Sequence, residues 1–134
     1  MKEIKFRLRI GNKIVGYEEW IVPLGENGRW VYSYDNVTFN IGIPPIEHTE
    51  KDQYTGLKDK NGKEVFEGDV VKVDDRQIGA KEIYIGEVYY CTDYTLENNP
   101  CFAVWTKNGH NQMSPSIEII GNIYENPELL KENK

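Results

Sequence analysis

Residues 53–75, QYTGLKDKNGKEVFEGDVVKVDD, constrain the fold more than any other stretch of the chain. Thr55-Gly56 punctuates the backbone, and the Asn61-Gly62 pair inside Asp59-Lys60-Asn61-Gly62 suits the positive φ angles of a type I′ hairpin turn. Val65 and Phe66 follow, then Gly68-Asp69, then Val70, Val71 and Val73. A Gly-Asp pair directly before a β-branched run marks a tight turn feeding a strand, a layout common in SH3-like small barrels. Such residues specify a hairpin and its register first, and a chemistry only secondarily.

The rest of the chain reads in the same all-β, mostly antiparallel sense. Ile4, Phe6, Leu8 and Ile10 alternate with Lys5, Arg7 and Arg9, which predicts a half-buried strand. Gly11-Asn12 turns it into a second strand from Lys13 to Val22, ended by Pro23. Residues 30–34 and 37–41 read as a hairpin around Asp35-Asn36, and Pro44-Pro45 breaks the chain beyond it. Further strands are expected at 82–90 with Gly86 as a bulge, at 101–106, and at 117–124 interrupted by Gly121. Residues 107–111 form a turn signal, Asn126 is a natural N-cap, and Pro127 opens a short C-terminal helix. At 134 residues the chain suits one domain. Its expected subdivision is N-terminal β-hairpins over 1–45 and an SH3-like small-barrel-type half over 46–134.

The 53–75 stretch, together with IEIIGNIYENPELL at 117–130 and more loosely the opening MKEIKFRLRI, resembles the YopX family. These are proteins encoded by phages and prophages of bacteria, without an established molecular function. The resemblance implies one YopX-like domain over 1–134 and a bacterial host setting, and it imports no catalytic residue. Residues 11–50 and 76–116 carry no family-specific string, which suggests a shared scaffold with variable loops.

Composition narrows the function classes. The net charge of −6 opposes general affinity for nucleic acid, because phosphate binding rests on Lys and Arg. No apolar run approaches the ~20 residues that span a bilayer, and no signal segment opens the chain, so a cytoplasmic protein without a membrane partner is expected. Cys91 and Cys101 are then expected as reduced thiols. With His110 they could ligate a metal, but the spacings are wide, His48 lies far off, and no C-x-x-C pair exists. Neither a metal nor a cofactor is expected. No nucleophile motif flanks either histidine, and no phosphate-cradling glycine loop occurs. Among the carboxylate pairs Glu67/Asp69 and Asp74/Asp75, Asp69 suits a turn-stabilising role better than acid–base work.

Two candidate surfaces remain. Lys5, Arg7 and Arg9 on one strand face would lie ~6–7 Å apart, near the spacing of successive phosphates. The bland alternative pairs Lys5 and Arg7 with Glu18 or Glu19 across a hairpin. Trp30, Tyr32 and Tyr34 share the other candidate strand, where they suit a core or an oligomer seam. The leading expectation is a non-enzymatic module that binds an unknown host or phage macromolecule, as a homo-oligomer. A small-barrel nucleic-acid binder using the basic strand is the alternative, and a cryptic metal-dependent hydrolase the third.

Overall fold

Hairpins of short, alternating segments build the N-terminal sheet. The structure is a computed structural model that describes residues 4–74, 83–91, 101–106, 109–112 and 117–131. β1 (Lys5–Ile10) turns through Gly11, at φ +58°, into β2 (Lys13–Ile21). β3 (Arg29–Ser33) pairs with the far side of β2, and β4 (Glu50–Lys58) pairs antiparallel with the free side of β1. With β5 (Glu64–Phe66) the strand order is β3-β2-β1-β4-β5. The chain divides into two compact units, Met1–Gly56 and Leu57–Lys134. The division falls inside β4, just past Gly56, whose φ is +87°.

Three expectations for this region are corrected. Thr55-Gly56 does not punctuate the chain but lies within β4. Residues 37–41 form no strand: only a bridge between Tyr32 and Asn40 remains. The cause is Asp35, whose carboxylate takes the Val37 and Thr38 N–H groups at 2.8 Å each, so those donors never reach a ladder. Nor does β1 turn only its apolar parity inward. Leu8 is buried, but so are Lys5, Arg7 and Arg9, while Ile4 and Ile10 are exposed.

The second unit is more conventional. β6 (Asp69–Asp74) lies between β10 (Ile117–Asn122) and β7 (Ile83–Cys91), and β8 (Cys101–Thr106) and β9 (Gly109–Gln112) continue beyond β7. The order β10-β6-β7-β8-β9 is an open sheet, so no barrel closes among the described strands. Val65, Val71, Val73, Val88, Val104 and Ile117 form its buried cluster, with Ile119 packed against them. Each such side chain contributes about 1.5–3 kcal/mol on burial. The bulge sits between Ile119 and Gly121, whereas Gly86 pairs regularly with Val71. α1 (Glu128–Lys131) is one helical turn, and among the described residues no helix is long and apolar enough to cross a membrane. The Asn126 Oδ1 accepts from the Asn122 N–H at 3.3 Å, while its backbone carbonyl accepts from Leu129 at 3.2 Å. The antiparallel all-β expectation holds.

Candidate interaction face

The two stretches that carry the family resemblance hold each other. Asp59 is buried, and its Oδ1 accepts from the Asn61 and Lys63 N–H groups at 2.9 Å each. Its Oδ2 accepts from the Ile119 N–H at 3.0 Å, on β10. Gly62 N–H donates to the Asp59 carbonyl (3.0 Å), and Asp59 N–H to that of Lys63 (2.8 Å). This is a three-residue loop ending on left-handed Gly62, not a type I′ turn, since Asn61 is not at positive φ. Gly68, at φ +90°, leaves no room for a side chain: a Cβ there would stand 2.8 Å from the Tyr124 ring. Asp69 accepts the Phe66 N–H at 2.8 Å, in the turn-stabilising role expected of it. These residues are architecture.

The basic strand is also built in. Arg7 Nε donates to Asp52 Oδ2 at 3.1 Å, and Arg9 holds both Asp52 oxygens through Nε and Nη2 at 3.0–3.1 Å. Arg9 also reaches Glu50 (3.0 Å) and the Gly11 carbonyl (2.7 Å). Lys5 Nζ lies 5.2 Å from the Phe39 ring centroid and 5.7 Å from that of Tyr54. Residue exposures of 5–7% mean that these three cations present no open row to a phosphate backbone. The carboxylate that pairs the arginines is Asp52, not Glu18 or Glu19. Nothing local in EKDQYTGLK marks β4, whose Glu, Lys, Asp and Gly are poor strand formers, so this partner is invisible until the sheet is assembled.

The opposite face of the same sheet is aromatic: it is buried around Leu8, where Ile46 lies against Gly16, and partly exposed at its Trp20–Trp30 end. Glu18 stands opposite both Phe6 on β1 and Tyr32 on β3, and Phe6 opposite Gln53 on β4, so Tyr32, Glu18, Phe6 and Gln53 form one row. Trp20 and Trp30 face each other in the next row, ring centroids 5.3 Å apart and edge-on, and Trp30 lies 6.1 Å from Phe6. Gly28 must lack a side chain, because a Cβ would fall within 2.2 Å of the Trp20 indole. From β4, Lys51 reaches across β1. Its Nζ sits 4.3 Å from the Phe6 centroid, 5.6 Å from that of Trp30, and 3.1 Å from Glu18 Oε1. The Tyr32 hydroxyl is pushed above its usual range by burial, then by the Glu18 charge and hydrogen bond. Trp20 and Trp30 remain 38% and 37% exposed, with Ile4 at 47% beside them. Tyr34 lies beyond the strand and is exposed, while Val31 and Ser33, on the other parity of β3, are the buried ones. From the sequence alone Phe6 reads only as strand pattern and Glu18 only as a partner of the basic strand, and Trp20 and Lys51 do not stand out, because only the register joins the four.

The other sequence candidates among the described residues lie elsewhere. Glu67 lies near Glu87, whose carboxyl is raised by burial and then by the Glu67 charge. His48 is half-buried, with Nδ1 2.8 Å from the Ile46 carbonyl oxygen. Cys91 and Cys101 are direct register partners, as are Trp105 and His110. Asp75 lies outside the described residues. Among the described residues no three His, Cys, Asp or Glu side chains gather to hold a metal.

Comparison with known proteins places the chain in context. The family model described as YopX protein matches residues 17–131. No curated protein matches. The crystal structure of protein EF1440 from Enterococcus faecalis is similar at 24% identity, over 97% of this chain and 99% of its own, with a TM-score of 0.45.

Proposed function

The chain belongs to the YopX family, and we propose that it works as a non-enzymatic, phage- or prophage-encoded interaction module. Its binding surface is the aromatic face of the N-terminal sheet. The observation that carries this reading is the pair Trp20–Trp30, left more than one-third exposed on the regular β2–β3 ladder and backed by Phe6. Tryptophan is costly to leave in water and is enriched where partners dock, so a cross-strand pair held open to solvent suits a docking hot spot. The partner is a macromolecule of the host or the phage.

The test is affinity recovery from a bacterial host during prophage induction, with and without nuclease, using the wild type and a Trp20→Ala/Trp30→Ala variant. A defined protein that survives nuclease and is lost on the double substitution, with far-UV circular dichroism unchanged, supports the reading. A partner recovered equally by both forms would sink it. Recovery that depends on nucleic acid would favour a nucleic-acid binder instead.

A further inference from the structure

Glu18 poses a question that the aromatic face by itself does not answer. Its side chain is only 5% exposed, in the middle of a sheet face, among Phe6, Tyr32 and Trp30. A carboxylate withdrawn from water to that degree calls for a cation in addition to the hydrogen bond from the Tyr32 hydroxyl. In the free chain Lys51 supplies it, at 3.1 Å, with its ammonium also over the Phe6 and Trp30 rings. A charged base with aromatic walls is the arrangement that recognises ammonium groups. The Lys51 side chain is nonetheless 43% exposed, entering from the solvent side.

We propose that the cluster of Glu18, Phe6 and Trp30 is a lysine-recognition site, and that Lys51 is its resident stand-in. The occupant is a lysine side chain from a segment of the partner protein, and Lys51 swings into water as it enters. This rests on the docking reading given above and names the chemistry it recognises. The surroundings define the rest of the segment. Ile4 (47% exposed) lies against β2 through the 2.9 Å bond from Trp20 N–H to its carbonyl. Val22 (61% exposed) follows just past the end of β2, two residues beyond Trp20. The residues beside the inserted lysine are therefore apolar. A sheet face exposed at its Trp20–Trp30 edge and flanked this way fits a peptide segment, whereas a free small cation would favour an enclosed pocket. Charge complementarity acts in the same direction, since the whole chain carries a net −6.

The experiment uses full-length protein and synthetic peptides with a central Lys, Nε-acetyl-Lys, norleucine or Glu between apolar residues, titrated by tryptophan fluorescence. The Lys peptide is expected to bind about tenfold more tightly than the acetylated and norleucine forms, the size of a desolvated cation–π contact joined to a charge-assisted hydrogen bond. Lys51→Met keeps the aliphatic stem but removes the internal competitor, so it raises the affinity for the Lys peptide. Glu18→Gln erases the preference for Lys over norleucine. Equal affinity for the Lys, acetyl-Lys and norleucine peptides would overturn the proposal while leaving an apolar docking face intact. Weaker binding by Lys51→Met would also overturn it, making Lys51 part of the wall. If no peptide binds, the proposal falls, and the fate of the Trp20/Trp30 variant in the induction experiment separately decides whether the docking reading falls with it.

Discussion

Asp52 concentrates the electrostatics of the first unit, since its side chain is 2% exposed between two guanidiniums that are each 6% exposed. Removing its charge leaves buried cations short of a counter-ion, which typically costs about 3–5 kcal/mol. Asp52→Asn is therefore expected to lower the urea midpoint steeply, measured by equilibrium unfolding. Asp59 has a different role. Burial pushes its carboxyl up, but the Ile119, Lys63 and Asn61 amides and the Lys63 charge outweigh this and hold it below the usual range. Its stabilisation is thus present above an unfolded value of about 3.9 and drains away as pH falls through the lower folded value. Asp59→Asn should cost about 1–3 kcal/mol at pH 7 and flatten the acid limb of a stability–pH curve. Asp35 is shifted in the same direction by Thr38, Ser33 and Val37. Glu87 has the opposite sign: raised by burial and by Glu67, it favours the fold below its unfolded value of about 4.3 and loses that contribution as pH rises through the folded one. Glu87→Gln is expected to raise the melting temperature at pH 7, the gain fading toward pH 4.

At the level of elements, legibility followed hydrophobic pattern and turn residues. β6 and β8 were readable because Val70, Val71 and Val73, and Cys101 to Thr106, are strand formers between clear breaks. β4 was not, because its strand character comes from pairing with β1 and not from its own side chains. The β1 parity misled for a related reason: an alternating Lys/Arg row reads as solvated until a carboxylate from 43 or 45 residues away lies beneath it. The aromatic face was half legible. Trp30, Tyr32 and Tyr34 read as a core or an oligomer seam from the sequence, but Glu18, Trp20 and Lys51 join Trp30 and Tyr32 only through register. Gly68 shows what the family signature protects. Gly68→Ala places a side chain at φ +90° and against Tyr124, at an expected cost of at least about 2 kcal/mol. In a double-mutant cycle Tyr124→Ala should recover the steric part of that loss and none of the backbone part, read by urea denaturation.

Over the whole molecule, the two units cohere by different means. Leu57–Lys134 has a cluster of buried aliphatics, whereas Met1–Gly56 buries Lys5, Arg7, Arg9, Glu18 and Asp52 beside Leu8, Val31 and Tyr54. Val71→Ala is expected to cost about 2–3 kcal/mol through the second unit's core. Val71 and Asp52 belong to different clusters, so the Asp52→Asn/Val71→Ala double variant should lose the sum of the single losses to within about 0.5 kcal/mol. A larger departure, measured by chemical denaturation, would show the units to be energetically coupled. The buried Asp52 fork has one more consequence. Sliding β4 by one residue along β1 would bring Lys51 or Gln53 beneath the arginines and turn Asp52 to the aromatic side. Every such misalignment sets cation against cation or strands two guanidiniums, so the fork acts as a vernier mark: it aligns a strand with little apolar pattern of its own, and with it the lysine that reaches across to Glu18.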